Sequence, residues 1–278
     1  MSELVSLAHD RRGAGPALVL ISGTGYPRGT WPDELVERLT ERHTVVTFDH
    51  RGTGSTPGTP DRYTTRLFAA DVVRLLDELD IPNAHLVGHS MGGRVAQWIA
   101  LDAPERVRTL VLAASGPGSF DADRPQSAGI PVATALRLVE LGYEEFVRTQ
   151  IRTTFFTDAF AAEHPERVAR LADAFWEHRP SLEDYLKHVA ARQEHRTTER
   201  LAEIGQPALV LIGDEDTHVG GTGSHWEQSQ YLASRLPNAE LRVVGGARHG
   251  FFWSHTAEVA ALLVDWLARH DATGRRAA

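Results

Sequence analysis

Short runs of consecutive apolar residues recur along the chain and alternate with longer stretches of helical periodicity. Short runs that are apolar at every position are typical of strands covered on both faces in a parallel sheet. The runs predict strands at Leu18–Ser22, Thr44–His50, Ala84–His89, Val107–Ala114, Ala208–Gly213 and Glu240–Val244. Helical patterns occur at Pro32–Glu41, Thr64–Leu79, Gly92–Leu101 and Thr256–Arg269. This alternation predicts an open α/β sheet of mostly parallel strands flanked by helices.

The alternation stops after the strand predicted at Val107–Ala114. A Gly-, Pro- and Ser-rich stretch follows, and then come helical patterns at Val132–Ile151, Pro165–His178 and Ser181–Leu201. We therefore expect residues 116–201 to form a helical insertion over one end of the sheet. The core is expected to comprise residues 1–115 and 202–270, with a frayed tail at 271–278.

Composition narrows the classes of function that the chain can have. The formal net charge is −8, from 29 Lys and Arg against 37 Asp and Glu, which argues against a nucleic-acid partner because phosphates require clustered basic residues. The absence of cysteine excludes disulfides and a cysteine nucleophile. The apolar runs are strand-sized and the N-terminus has no signal-peptide pattern, so we expect no membrane partner and a cytoplasmic location. The oligomeric state stays open, with a homodimer as one option.

The pattern Gly88-His89-Ser90-Met91-Gly92 is the strongest chemical signal in the chain. A predicted strand precedes this G-x-S-x-G motif and a predicted helix follows it, which is the context that a nucleophile elbow requires. Such a turn holds the serine in a strained backbone conformation and presents its hydroxyl at a helix N-terminus. Ser90 is therefore the predicted nucleophile.

A serine hydroxyl needs an adjacent base, and in this context the acid and the base follow the serine in that order. Asp216 follows the strand predicted at Ala208–Gly213, and His249 follows the strand predicted at Glu240–Val244. Since the carboxyl ends of parallel strands meet at one edge of a sheet, we expect both side chains near Ser90. Alternatives stay open at this point, with Asp214 as the acid and His218 or His225 as the base.

An acyl-transfer site also needs backbone N–H groups directed at the developing oxyanion. One donor is predicted to be the N–H of Met91, directly after the nucleophile. The second should come from the loop after the first predicted strand, where we choose Thr24.

Four segments carry a resemblance to a known superfamily. They are Gly13–Gly23, Asp49–Ser55, Leu86–Gly93, and Gly213–Asp216 together with His249. From about Leu4 to Leu267 the sequence resembles the α/β-hydrolase superfamily. Within it, the sequence is similar to small bacterial serine hydrolases such as 3-oxoadipate enol-lactonases, cofactor-free haloperoxidase-like esterases and C–C bond hydrolases. The resemblance implies an eight-stranded, mostly parallel sheet with a helical cap after the sixth strand, and it assigns the acid to Asp216 and the base to His249.

The chain departs from the family pattern in two loops. Ser22 stands where the family usually has a histidine before the oxyanion loop, which puts the geometry of that loop in question. The loop at residues 217–226 is longer and richer in glycine than the family's short turn. It could form part of the substrate wall.

The motifs together predict a serine hydrolase that cleaves a carboxylic ester or lactone. In this hypothesis Ser90 attacks the carbonyl, His249 accepts its proton, and Asp216 orients the imidazole. The amides of Met91 and Thr24 stabilise the oxyanion, and water then releases the acyl group. No cofactor or metal is expected, because the 14 histidines show no metal-ligand spacing. C–C bond hydrolysis, thioester hydrolysis or cyclisation, and a non-catalytic ligand receptor remain as alternatives.

Overall fold

A seven-stranded sheet forms the centre of the protein in the computed structural model, which describes residues 4–121, 123, 128–217, 219–220 and 223–271. The strands are β1 (His9–Arg12), β2 (Ala17–Ile21), β3 (Thr44–Phe48), β4 (Ala84–His89), β5 (Val107–Ala113), β6 (Ala208–Gly213), β7 (Val219–Gly220), β8 (Gly223–Ser224) and β9 (Ala239–Val244). The sheet order is β1-β3-β2-β4-β5-β6-β9, while β7 and β8 form a separate antiparallel pair. Only β1 runs antiparallel to its neighbour in the large sheet. The mostly parallel sheet predicted from the apolar runs is therefore confirmed.

The expected count of eight strands is wrong for the described residues, which place seven in the sheet. The backbone before β1 bonds to loops and side chains instead of to a further strand. The amide of Val5 donates to Asp71 Oδ1 at 3.3 Å, and the amide of Ala8 donates to Thr56 Oγ1 at 2.9 Å. As a consequence, the helical insertion follows the fifth strand of this sheet and not the sixth.

Helices cover both faces of the sheet. The α-helices of the described residues are α1 (Asp33–Thr40), α2 (Thr65–Glu78), α3 (Met91–Asp102), α4 (Val132–Leu141), α5 (Tyr143–Gln150), α6 (Asp158–Glu163), α7 (Pro165–Glu177), α8 (Leu182–Gln193), α9 (His225–Arg235), α10 (Phe251–Ser254) and α11 (Thr256–Asp271). Helices α2 and α3 pack on one face around Val19 and Ile21, whereas α1 and α11 pack on the other around Leu18 and Leu20. Each strand therefore buries its apolar residues on both sides. None of the helices formed by described residues is long and apolar enough to cross a membrane.

The segment between β5 and β6 contains the helices α4 to α8 and has an apolar cluster of its own. The continuous helical pattern expected from Val132 to Ile151 is divided into two helices at Gly142, which has a φ of 76°. A left-handed backbone conformation ends an α-helix, and glycine adopts it without steric cost. Phe146, Phe156 and Phe175 are buried in the cluster, so most of the aromatic residues there pack against one another.

Several histidines are buried and have a lowered pKa, so they stay neutral at pH values where an exposed histidine is protonated. Burial is the largest cause in each case, because a charged imidazole loses its hydration inside the protein. The pKa is lowered to about 3 for His50, to about 4 for His85, His188 and His225, and well below the usual value for His89 and His195.

These histidines predict a steep loss of stability in mild acid. An unfolded histidine takes up a proton as the pH falls through about 6.5, whereas these folded histidines do not. The unfolded state therefore binds more protons in this range, and the free energy of unfolding falls as the pH falls. We expect a loss of roughly 1 kcal/mol per histidine between about pH 7 and pH 5.5. Urea denaturation at the two pH values measures the loss, and equal stability at both would contradict the prediction.

Candidate active site

Ser90 occupies a sharp turn between β4 and α3. Its φ of 55° and ψ of −115° are costly for a residue with a side chain. Two contacts to the β5 segment hold the turn: the Ser90 amide donates to the Ala113 carbonyl at 2.8 Å, and Ser115 Oγ donates to the Ser90 carbonyl at 2.8 Å. The strained conformation expected from the motif is therefore present, and residues at and just after the end of β5 maintain it.

The motif glycines Gly88 and Gly92 allow β2, β4 and the start of α3 to approach one another closely beside Ser90. A Cβ atom on Gly92 would lie 1.9 Å from the carbonyl oxygen of Ile21, and one on Gly88 would lie 2.4 Å from the carbonyl oxygen of Gly92. Neither position can accept a side chain without moving backbone. The spacing of the motif thus follows from packing of the turn against β2.

Asp216 and His249 meet at the carboxyl ends of β6 and β9. The Nδ1 atom of His249 lies 2.8 Å from Asp216 Oδ2, and both side chains are buried. The other carboxylate oxygen, Asp216 Oδ1, accepts from Nδ1 of His225 at 3.2 Å. The rings of His225 and His249 lie side by side, with centroids 4.3 Å apart and planes inclined by 32°. One buried carboxylate therefore holds two imidazoles.

The structure separates the alternatives that the sequence left open. Asp214 Oδ1 accepts from the amides of Gly246 (2.7 Å) and Ala247 (3.3 Å), so it supports the loop before His249. His218 lies outside the described residues. His225 is brought to the same carboxylate as His249, and it is the remaining competitor for the role of base.

Electrostatics distinguish the groups in this cluster. Burial alone would raise the pKa of Asp216, but the imidazoles of His225 and His249 outweigh it and lower that pKa below its usual range. Burial lowers the pKa of His225 to about 4, against the opposing effect of Asp216. A base with so low a pKa accepts a proton poorly near pH 7. This argues against His225 as the general base.

Ser90 and His249 face one cavity of about 300 Å³. Its lining also includes Thr24, Phe155 and Tyr185, and two residues of the loop at 217–226, Gly223 and His225. No hydrogen bond between the Ser90 hydroxyl and His249 occurs in the described part of the chain. Such contacts often tighten only when substrate binds. Phe155 and Tyr185 come from the helical insertion, so this segment forms part of the cavity wall.

The residues predicted to supply the oxyanion donors, Thr24 and Met91, both lie close to Ser90 in the structure. A Cβ atom on Gly23 would be 3.3 Å from Ser90 Cβ, which places the loop after β2 directly beside the nucleophile, and Thr24 lines the cavity. Met91 is the first residue of α3, where backbone N–H groups have no partner within the helix.

The loop containing Ser22 is supported by a histidine from another segment. His50 Nε2 donates to the Ser22 carbonyl at 3.3 Å, and the low pKa of His50, about 3, keeps this imidazole neutral. Asp49 supports the same region by accepting from the Arg28 amide at 2.7 Å. The segment Asp49–Ser55, one of the four that carry the resemblance, therefore helps to shape the loop beside Ser90 through Asp49 and His50.

Sequence reasoning missed several residues around His249. His89 Nε2 donates to the His249 carbonyl at 2.9 Å, and the Phe155 carbonyl accepts from the Gly250 amide at 2.9 Å. Arg94 and Arg192 also line the cavity. Arg94 did offer a signal, because an arginine near the start of a mostly apolar and buried helix is rare unless its charge has a specific partner or task.

Two side-chain groups among the described residues have donor atoms close enough for a metal ion. They are Asp216 with His225 and His249, and Asp271 with His43 and His85. In each group the carboxylate already accepts hydrogen bonds from both imidazoles. These hydrogen bonds explain why the three side chains of each group lie close together.

Comparison with known proteins identifies the family. A family model described as the alpha/beta hydrolase fold matches residues 16–256, and the chain therefore belongs to the α/β-hydrolase family. A relative from Variovorax paradoxus, named "Putative carbamate hydrolase RutD", is 33% identical over 261 residues, which are 94% of each chain.

Solved structures share the fold over nearly the whole chain. Est816, described as an N-acyl homoserine lactone degrading enzyme, superposes with a TM-score of 0.76 at 26% identity, covering 94% of this chain and 96% of that one. The enol-lactonase from Burkholderia xenovorans LB400 has a TM-score of 0.81 at 23% identity, with coverages of 94% and 96%. These comparisons confirm the predicted superfamily and fold, and they support hydrolase activity.

Proposed function

We propose that the protein is a serine hydrolase that cleaves a carboxylic ester or lactone through an acyl-enzyme on Ser90. One observation carries the proposal: a strained, cavity-facing serine shares that cavity with His249, whose Nδ1 is bonded to the buried carboxylate of Asp216. A serine, a base and an orienting acid are the three parts that nucleophilic acyl transfer requires.

The hydrogen bond to Asp216 determines how His249 acts. With its proton on Nδ1 bonded to the carboxylate, the neutral ring has its lone pair on Nε2. In the proposed reaction, Ser90 Oγ attacks the carbonyl carbon while Nε2 accepts the hydroxyl proton, and the Asp216 carboxylate stabilises the imidazolium. His249 then returns the proton to the leaving alkoxide. In the second half, water attacks the acyl carbon and gives a proton to His249, which then returns it to Ser90 Oγ as the acyl–oxygen bond breaks and the carboxylic acid is released.

The oxyanion of each tetrahedral intermediate would lie between the loop after β2 and the start of α3. We assign its stabilisation to the backbone N–H groups of Thr24 and Met91. Residues 116–201 would act as a cap, since Phe155 and Tyr185 from this segment line the cavity. Exclusion of water by such a cap strengthens the electrostatic interactions at the reacting carbonyl.

Hydrolysis of a carbamate is a second candidate function. It is favoured by the relatives at about one-third identity that are named for this activity. Attack of Ser90 on a carbamate carbonyl uses the same groups, so the two candidates differ in the leaving group and in the acyl group that remains on the serine.

Turnover of a substrate panel tests the proposed function and separates the two candidates. The panel contains p-nitrophenyl esters of increasing acyl length, small lactones and p-nitrophenyl carbamates. We expect the highest kcat/KM for short acyl chains, because the cavity of about 300 Å³ admits only a small acyl group. Faster turnover of carbamates than of esters would favour the second candidate. No turnover of any of them would contradict the proposed function.

A further inference from the structure

Two arginines, Arg94 and Arg192, line the same cavity as Ser90 and His249. Among the described residues, the lining contains no aspartate or glutamate. Since arginine remains protonated under ordinary conditions, this wall of the cavity carries positive charge next to the proposed nucleophile.

The Arg94 guanidinium is held in place by neutral groups. It donates through Nη2 to Gln228 Oε1 at 3.1 Å and through Nη1 to the Arg192 carbonyl. The residue is only 5% exposed. Burial lowers its pKa to about 9, so the side chain is still charged near pH 7. A positive charge is therefore fixed inside the protein without a neutralising partner in these contacts.

Neither Arg94 nor Arg192 forms an ion pair with a carboxylate anywhere in the described residues. Outside the described residues, the only Asp or Glu side chain in the sequence is Glu3 near the N-terminus. Arg51 differs from these two arginines, because its buried guanidinium is paired with the Asp71 carboxylate through two hydrogen bonds of 2.7 Å. A buried charge is normally paired within the protein, since an unpaired one carries a large desolvation penalty.

We propose that the substrate carries a carboxylate, which binds to Arg94 and Arg192 while its ester or lactone carbonyl lies at Ser90. This inference rests on the proposed function and specifies its substrate class. The guanidinium fork matches carboxylate geometry, and charge-assisted hydrogen bonds of this kind are among the stronger ones in proteins. The size of the cavity limits the substrate to a small one, such as a monoester of a short dicarboxylic acid.

Substrate selectivity tests the proposal. The comparison is kcat/KM for mono-p-nitrophenyl glutarate against neutral p-nitrophenyl pentanoate, which has a similar length. The wild type is expected to prefer the anionic ester. In Arg192→Gln the ratio of the two values should fall by about 10- to 100-fold, mainly through KM, and Arg192→Lys should restore part of it.

Arg196→Gln serves as the matched control, because Arg196 lies outside the cavity and is paired with Glu199 on the surface. It should leave the ratio at the wild-type value. A wild type that prefers the neutral ester, or an Arg192→Gln variant with an unchanged ratio, would overturn the proposal.

A binding measurement separates this inference from the esterase proposal. Calorimetry with Ser90→Ala protein needs no turnover and uses glutarate and inorganic phosphate as probes. We expect glutarate to bind to Ser90→Ala and to bind at least tenfold more weakly when Arg192→Gln is added. This result would support the anion site even if no ester were hydrolysed. Binding of phosphate alone, or of neither probe, would overturn the carboxylate assignment and leave the role of Ser90 untouched.

Discussion

Replacement of Ser90 by alanine is expected to lower kcat for ester hydrolysis by about 10⁶-fold. The change removes the atom that forms the acyl-enzyme, and no other hydroxyl occupies the strained turn between β4 and α3. Some turnover above the uncatalysed rate would remain, because backbone donors and substrate binding still act. Steady-state kinetics on the preferred p-nitrophenyl ester, with circular dichroism to verify folding, measures the loss.

Ser115→Ala is the matched control for this substitution. Ser115 Oγ donates to the Ser90 carbonyl at 2.8 Å, so its removal disturbs the same turn without touching the nucleophile. Loss of one neutral hydrogen bond costs about 1 kcal/mol, and we expect at most about a tenfold decrease in kcat. An equal decrease in kcat in the two variants would show that activity depends on the conformation of the turn and not on the Ser90 hydroxyl.

Replacement of His249 by alanine is expected to lower kcat by about 10⁴- to 10⁶-fold. His225 provides an unusually close comparison, because both imidazoles bond to the carboxylate of Asp216, at 2.8 and 3.2 Å. His225→Ala should cost only about tenfold, since it removes one hydrogen bond to Asp216. The low pKa of His225, about 4, makes it a poor proton acceptor at the pH of the assay.

The pH dependence gives an independent readout for these two histidines. If His225 is not the base, His225→Ala lowers kcat/KM by the same factor at every pH near neutrality, so the shape of the pH profile does not change. A larger loss in His225→Ala than in His249→Ala would contradict the assignment and make His225 the base.

The elements that the sequence predicted well are those with a strong local signal. β6 has the predicted bounds Ala208–Gly213, because a fully buried strand is apolar along its length. The polar edge strand β1 had no such run and was missed, since most of its side chains are exposed. Gly142 divides a helical pattern that is apolar on both sides of it, and the pattern alone does not show that its φ is positive.

The candidate site was predictable where its residues follow from chain order and strand context. Ser90, Asp216 and His249 each lie in the turn or loop that follows a strand of the sheet, and parallel strands bring such positions together. The pairing of Arg94 with Arg192 in the cavity lining was not predictable in this way. Arg94 and Arg192 are 98 positions apart, and only the packing of the insertion against α3 brings them to one cavity. Likewise, the sequence places His225 close to Asp216 but does not show that it shares the carboxylate with His249.

Covalent labelling of Ser90 is the measurement that decides the proposed mechanism most directly. The native protein is treated with an alkyl fluorophosphonate, and the adduct is located by intact-mass and peptide mass spectrometry. We predict a single adduct on Ser90, its absence in Ser90→Ala, and slower labelling in His249→Ala because the base no longer activates the hydroxyl. An unlabelled wild type, or an equal adduct in Ser90→Ala, would contradict a serine nucleophile at this position.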